Sequence, residues 1–147
     1  MGKVIGLAIK HTQKLPLDLA DAVDVTERGI VGNVEQSPDR RITLLAREQW
    51  ENALAELGQE LPWTTRRANV LVEGIDLASC MGKFLQVGGI VLKIRGETKP
   101  CGFMEAACTG LFDALVPDCR GGVYGSVERA GKIALGDTVA LVAGSDL

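Results

Sequence analysis

Phe84-Leu-Gln-Val87-Gly88-Gly89-Ile90-Val-Leu-Lys-Ile-Arg95 consists of two apolar-rich runs joined by a pair of glycines. A two-residue hairpin loop needs positive φ, which glycine adopts without steric cost, so the runs are expected to form antiparallel neighbouring strands. The same pattern repeats on both sides. Short runs rich in Val, Ile and Leu and punctuated by Gly read as strands at Lys3 to Ile9, Ala22 to Thr26, Ile42 to Leu45, Asn69 to Val72, Gly122 to Val127 and Thr138 to Val142. Gly121-Gly122 and the stretch from Gly131 to Asp137 read as turns, with Gly136-Asp137 closing one before the last strand. The expected fold is mainly β (α+β), a closed or partly closed β-barrel of short strands with about two flanking helices.

The helices interrupt this rhythm. In Arg47-Glu-Gln-Trp-Glu-Asn-Ala-Leu-Ala-Glu-Leu57 the apolar Trp50, Ala53, Leu54 and Leu57 fall at helical spacing, and Gly58 is suited to a left-handed stop. A second helix is expected from about Phe103 to Leu115, with Met104, Ala107, Cys108, Leu111 and Leu115 on one stripe. It starts directly after Cys101.

The 147 residues suit one domain over 1–147, and no internal repeat or linker divides them. Sixteen Lys and Arg against 19 Asp and Glu give a net charge of −3, so no global field recruits nucleic acid or an anionic membrane. Scattered aromatics offer no stacking platform, and no glycine-rich phosphate loop is present. The first ten residues are too short an apolar run for a signal peptide, no run approaches a membrane span, and Gly6 stands where myristoylation requires Ser or Thr. A cytoplasmic protein without a membrane partner is expected. Cys80, Cys101, Cys108 and Cys119 form no C-x-x-C pair, which argues against a disulfide framework and a zinc site.

Among these thiols Cys101 stands out. In Glu97-Thr98-Lys99-Pro100-Cys101-Gly102-Phe103 the proline disfavours helix for Lys99, so the chain enters Cys101 extended and then turns into the helix. A thiol at a helix start is activated by the positive end of the dipole, and Lys99 adds charge. Three roles stay open for it: a buried filler, a soft-metal ligand and a sulfur-handling nucleophile. Cys108 belongs to the apolar stripe, whereas Cys80 and Cys119 sit in polar loops and are expected to be solvent-facing or half-buried. Arg66-Arg67-Ala68-Asn69 puts two guanidiniums and an amide at a strand start, where they either hold a phosphate or pterin edge or lie solvated. Arg40-Arg41 repeats that signal more weakly. His11, the single histidine, is expected to be an exposed loop residue.

Arg41-Ile-Thr-Leu-Leu45 before a helix with Glu48, Arg67-Ala-Asn69-Val-Leu-Val-Glu-Gly74, Gly88 to Ile94, Lys99-Pro-Cys101, Gly121 to Val127 and Gly131 to Val139 follow one another along nearly the whole chain. This ordered set resembles the MOSC domain. That module occurs at the C-terminus of molybdenum cofactor sulfurases, in the mitochondrial amidoxime-reducing proteins and as free-standing bacterial proteins. The resemblance implies a barrel-like fold and makes Cys101 the match to a cysteine proposed to carry a persulfide or to ligate molybdenum. It places Arg67 and Asn69 on the strand facing molybdopterin; Arg66 and Lys99, close in sequence to Arg67 and Cys101, are further cofactor-binding candidates from their charge. Many relatives carry Asp after the glycine that matches Gly32, where this chain has Asn33-Val-Glu-Gln-Ser37, and longer members add an N-terminal barrel. Three functions are therefore expected: a molybdenum cofactor-binding or sulfur-carrier protein, a molybdenum-dependent reductase of N-hydroxylated substrates, or a noncatalytic interaction module. The implied partners are molybdopterin, a sulfur donor protein and a molybdoenzyme.

Overall fold

Every run read as a strand is one in the computed structural model, which describes residues 1–144. The strands are β1 (Gly2–Ile9), β2 (Asp18–Leu19), β3 (Ala22–Thr26), β4 (Gly29–Ile30), β5 (Ile42–Ala46), β6 (Val70–Glu73), β7 (Phe84–Val87), β8 (Ile90–Glu97), β9 (Val123–Arg129), β10 (Gly131–Ala134) and β11 (Thr138–Val142). The glycine hairpin pairs Val87 with Ile90 and Phe84 with Lys93, as its spacing requires. Seven strands in the order β11-β7-β8-β9-β5-β6-β1 close into a barrel when Gly2 pairs with Val139 and Lys3 with Thr138, and β2 adds to β1 as an eighth. A separate sheet, β10-β3-β4, contributes Val23, Val25, Ile30 and Ile133 to the barrel core.

β5 and β6 organise the interior. They run parallel, with Leu44 opposite Val70 and Ala46 opposite Val72, joined through helix α1 (Arg47–Leu57). Alternation sends Ile42, Leu44, Val70 and Val72 into the barrel core, while Leu45 and Leu71 face outward into a second apolar cluster. Both faces of this pair are buried, which is why they read as continuous apolar runs. Trp50, Ala53 and Leu54 of α1 cover the outward face, and Gly58 ends the helix in the left-handed conformation at φ +61.

Three expectations need correction. The stretch from Gly131 to Asp137, read as a turn, begins with strand β10, paired from Gly131–Val25 to Ala134–Ala22. With Ile133 its single buried residue, the strand displays too little alternation to be seen. The second helix is two: α2 (Gly102–Ala107) and α3 (Leu111–Leu115), broken at Gly110, whose φ of +88 no helix accommodates. The Glu105 carboxylate accepts from the Gly110 and Phe112 amides, holding α3 against α2. The stripe survives the break at Met104, Leu111 and Leu115, whereas Ala107 is exposed. Cys80, expected in a polar loop, is fully buried in the barrel core because a 3-10 turn, Leu77–Cys80, folds it inward. Among the described residues no helix is long and apolar enough to cross a membrane.

Candidate functional site

The centre of the site is Arg66, the last residue of a 3-10 turn, Trp63–Arg66, that follows Pro62. Its side chain is 7% exposed and its Nε donates to the Gly121 carbonyl at 2.9 Å. Nη2 donates to the Thr98 and Lys99 carbonyls at 2.7 and 3.2 Å, tying the turn before β6 to the loops after β8 and before β9. A Cβ at Gly121 would lie 2.5 Å from the Thr98 carbonyl oxygen and 3.2 Å from Arg66 Nη2, so the contact admits no larger residue. Nη1 keeps its donors free of protein partners among the described residues. Arg67 then turns left-handed at φ +62, a strained conformation for a residue with a side chain, and its Nη2 reaches the Thr12 carbonyl at 3.1 Å.

Asn69 is committed differently. Oδ1 accepts from the Thr43 amide and hydroxyl, and Nδ2 donates to the Ala8 carbonyl at 3.2 Å and Asn33 Oδ1 at 2.9 Å. Every donor and acceptor of this side chain is engaged within the protein. It locks β5, β6, β1 and the loop at Asn33 together as the floor of the site.

Cys101 is exposed and occupies the N-cap of α2, with φ −130 and ψ 177. Two anchors fix it. On one side Thr98 donates its amide to the Gly122 carbonyl at 2.8 Å and holds Arg66; on the other, Met104 donates to the Cys101 carbonyl at 2.9 Å and buries its own side chain under α2. With only six residues, α2 supplies less of the dipole than the longer helix expected from sequence.

These residues line one cleft of about 200 Å³, with Lys10, Arg40, Arg66, Arg67, Thr98 and Cys101 around it and, among the described residues, no Asp or Glu in its lining. None of the four cations is ion-paired with a carboxylate among the described residues. Arg40 rests on the Tyr124 ring, 5.2 Å from its centre, whereas Arg41 turns away to Glu35 and the Gln36 carbonyl. Burial pushes Lys10 below its ordinary value, and Arg67, Arg40 and Arg66 push it further in that order. Burial also lowers Arg66, a shift that the neighbouring Cys101 opposes and Arg40 reinforces. Thr98 Oγ1 is buried beside the cleft without a hydrogen-bond partner among the described residues. A buried guanidinium, three further cations and an unpaired hydroxyl are the marks of an anion site.

Of the residues singled out in the sequence, Cys101, Arg66, Arg67 and Asn69 meet in this cleft, joined by Arg40. Lys99 does not line it; its side chain is exposed and its carbonyl alone serves the site by receiving Arg66. Lys10 and Thr98 were missed. A lysine closing a strand and a threonine after one carry no local signal, since both acquire their role from partners far along the chain. His11 is exposed, with Nδ1 3.0 Å from the Gly32 carbonyl and Nε2 2.9 Å from Asp18.

The sequence matches the MOSC domain over residues 31–140. The chain belongs to the MOSC domain family. That family is associated in general with binding of the molybdenum cofactor. Among solved structures, this MOSC protein is similar to the YuaD protein from Bacillus subtilis, at 23% identity over 95% of this chain and 94% of that one, with a TM-score of 0.79. YiiM from Geobacillus stearothermophilus superposes with a TM-score of 0.79 at 16% identity, covering 97% of this chain and 75% of that one. YiiM from Escherichia coli gives 0.74 at 17% identity, covering 96% and 70%. These likenesses are of fold. No match is found among curated proteins.

Proposed function

We propose that this protein receives the anionic end of the molybdenum cofactor in the cleft and that Cys101 is its sulfur-bearing residue, as persulfide carrier or molybdenum ligand. What carries this reading is one exposed thiol set beside four cations in a cleft lined by no carboxylate. The residues fit the group. A thiolate is a soft donor suited to molybdenum, guanidiniums match phosphate oxygens, and the unpaired Thr98 hydroxyl lacks an acceptor or donor in the protein. The cleft volume lies below the roughly 300–1,000 Å³ of pockets that bury drug-sized ligands, so it suits the charged end of a cofactor rather than its whole body. When bound, the cofactor supplies a redox-active metal. Arg66, Arg67, Arg40 and Lys10 neutralise its negative charge, Asn69 holds the floor rigid, and Cys101 presents sulfur at the rim. A molybdoenzyme that receives the cofactor or the sulfur is a partner that suits this reading, and a sulfur donor protein is one source of the sulfur.

The test is metal analysis combined with intact mass on protein made in a host that synthesises the cofactor. Bound molybdenum and pterin, or a gain of one sulfur atom, is the expected result, and Cys101→Ser removes it. A serine variant that keeps full cofactor or persulfide loading overturns the assignment.

A further inference from the structure

If Cys101 carries sulfur, the residues around it define what kind of donor can supply that sulfur. A donor has to bring a transferable, formally neutral sulfur and a leaving group that departs with the electron pair. The cleft supplies binding groups for only one kind of leaving group. Among the described residues Arg66 faces it with Nη1 uncommitted, Arg67, Arg40 and Lys10 lie around it without carboxylate partners, and Thr98 adds an unpaired buried hydroxyl. Its volume of about 200 Å³ suits a small polyatomic anion. We propose that the sulfur donor is a sulfane-sulfur oxyanion of the thiosulfate class, an inference that rests on the sulfur-carrying reading of Cys101.

The step balances without an outside oxidant or reductant. The Cys101 thiolate attacks the outer sulfur of thiosulfate, and a new S–S bond forms on the protein. The bond between the two thiosulfate sulfurs breaks, and its electron pair leaves with sulfite. One thiolate and one dianion become one persulfide anion and one dianion. The cations hold the dianion before and after transfer and stabilise the charge that builds on the departing oxyanion, where a site already ordered in the protein has most effect. The acid-poor lining matters as much, since a carboxylate there would repel both reactants.

The test uses reduced protein and two donors under anaerobic conditions: thiosulfate, whose leaving group is an oxyanion, and inorganic polysulfide, whose leaving group is not. Thiosulfate is expected to add one sulfur to Cys101 and release sulfite in equal amount, and cyanide is expected to take that sulfur off as thiocyanate. Because Arg66 also supports the fold, the charge requirement is read at Arg67→Gln and at the exposed Arg40→Gln. Each is expected to slow thiosulfate loading about tenfold, the effect of ~1.4 kcal/mol in a barrier, and to slow polysulfide loading less. If polysulfide loads Cys101 but thiosulfate releases no sulfite, the donor class is wrong while the carrier reading stands. If neither donor loads Cys101, the carrier reading fails with it. Equal slowing of both donors in the arginine variants overturns the role given to the cations.

Discussion

Two clefts of this barrel hold a cysteine, and they carry opposite charge. Among the described residues the cleft at Cys101 is lined by Lys10, Arg40, Arg66 and Arg67 and by no acid. The cleft at Cys119, about 280 Å³ in volume, is lined by Glu48, Asp76 and Asp118 and by no base. Burial pushes the Cys119 thiol up, and Glu97, Asp76 and Asp118 push it further, so its reactive thiolate is disfavoured. A net charge of −3 conceals this division, so whole-chain charge bears on extended polyanions and says nothing about a small one. The difference teaches that a thiol's chemistry is set by the sign of its neighbours.

The greatest expected effect comes from removing the hub of the cationic cleft. Arg66→Met leaves the Gly121, Thr98 and Lys99 carbonyls without their buried donor. The expected loss is about 3 kcal/mol of stability, since each orphaned buried carbonyl costs ~1 kcal/mol or more, and chemical denaturation measures it. The counterpart on the acidic side, Asp118→Asn, is expected to stay within about 0.5 kcal/mol, because Asp118 is exposed and asparagine accepts its left-handed backbone at φ +57. Equal losses in the two variants would show that Arg66 is not the strut described here.

That contrast also marks how far the sequence was legible. The hairpin at Gly88-Gly89 and the helix from Arg47 to Leu57 are local patterns, complete within a dozen residues; the helix and the turn fall where the sequence puts them, and β8 runs two residues past Arg95 to Glu97. Cys101 was legible because Pro100 and the helix start lie beside it. Arg66 and Arg67 looked alike, yet one is a buried strut and the other an αL residue with partial exposure. Their difference is made by the Gly121 carbonyl, 55 positions away, which no local pattern encodes. The setting of Asn69 is as distant, because its side chain bonds to Ala8 of β1, Thr43 of β5 and Asn33 in the loop after β4. The cations of the cleft come from three separate stretches, and only closing the barrel brings them together.

A smaller effect sharpens the comparison at the two thiols. Alkylation with iodoacetamide at neutral pH, followed by peptide mass mapping, is expected to label Cys101 at least tenfold faster than Cys119, a difference of ~1.4 kcal/mol. Asp118→Asn removes one of the charges that raise Cys119 and is expected to quicken its labelling about twofold at low salt, with Cys101 unchanged. Cys119 reacting as fast as Cys101 in the unmodified protein would remove the contrast altogether.

The subtlest effect lies at Lys10, where binding and stability oppose each other. Burial and the three arginines hold this amine below its ordinary value of 10.5, and among the described residues no carboxylate lines the cleft to relieve it. Between its folded value and 10.5 the unfolded chain binds more protons than the folded one, so stability rises with pH through that window. Below it the whole cost of the crowded charge is present. Lys10→Gln keeps the backbone contacts to Asn33 Oδ1 and the Val34 amide, and removes only the charge. At pH 7, without added anions, it is expected to raise the melting temperature on the order of 1 °C, a small figure because the half-exposed amine is partly screened. That advantage fades as the pH climbs and the wild-type amine loses its proton. Added thiosulfate or phosphate reverses the order, because a bound dianion turns the crowded lysine into a partner and stabilises the wild type more than the variant. Thermal melts at two pH values, with and without the anion, read both signs. A variant that is less stable at pH 7 and equally stabilised by anions would mean that Lys10 does not face the bound charge. The cost of the crowded charge would then reside in the arginines alone.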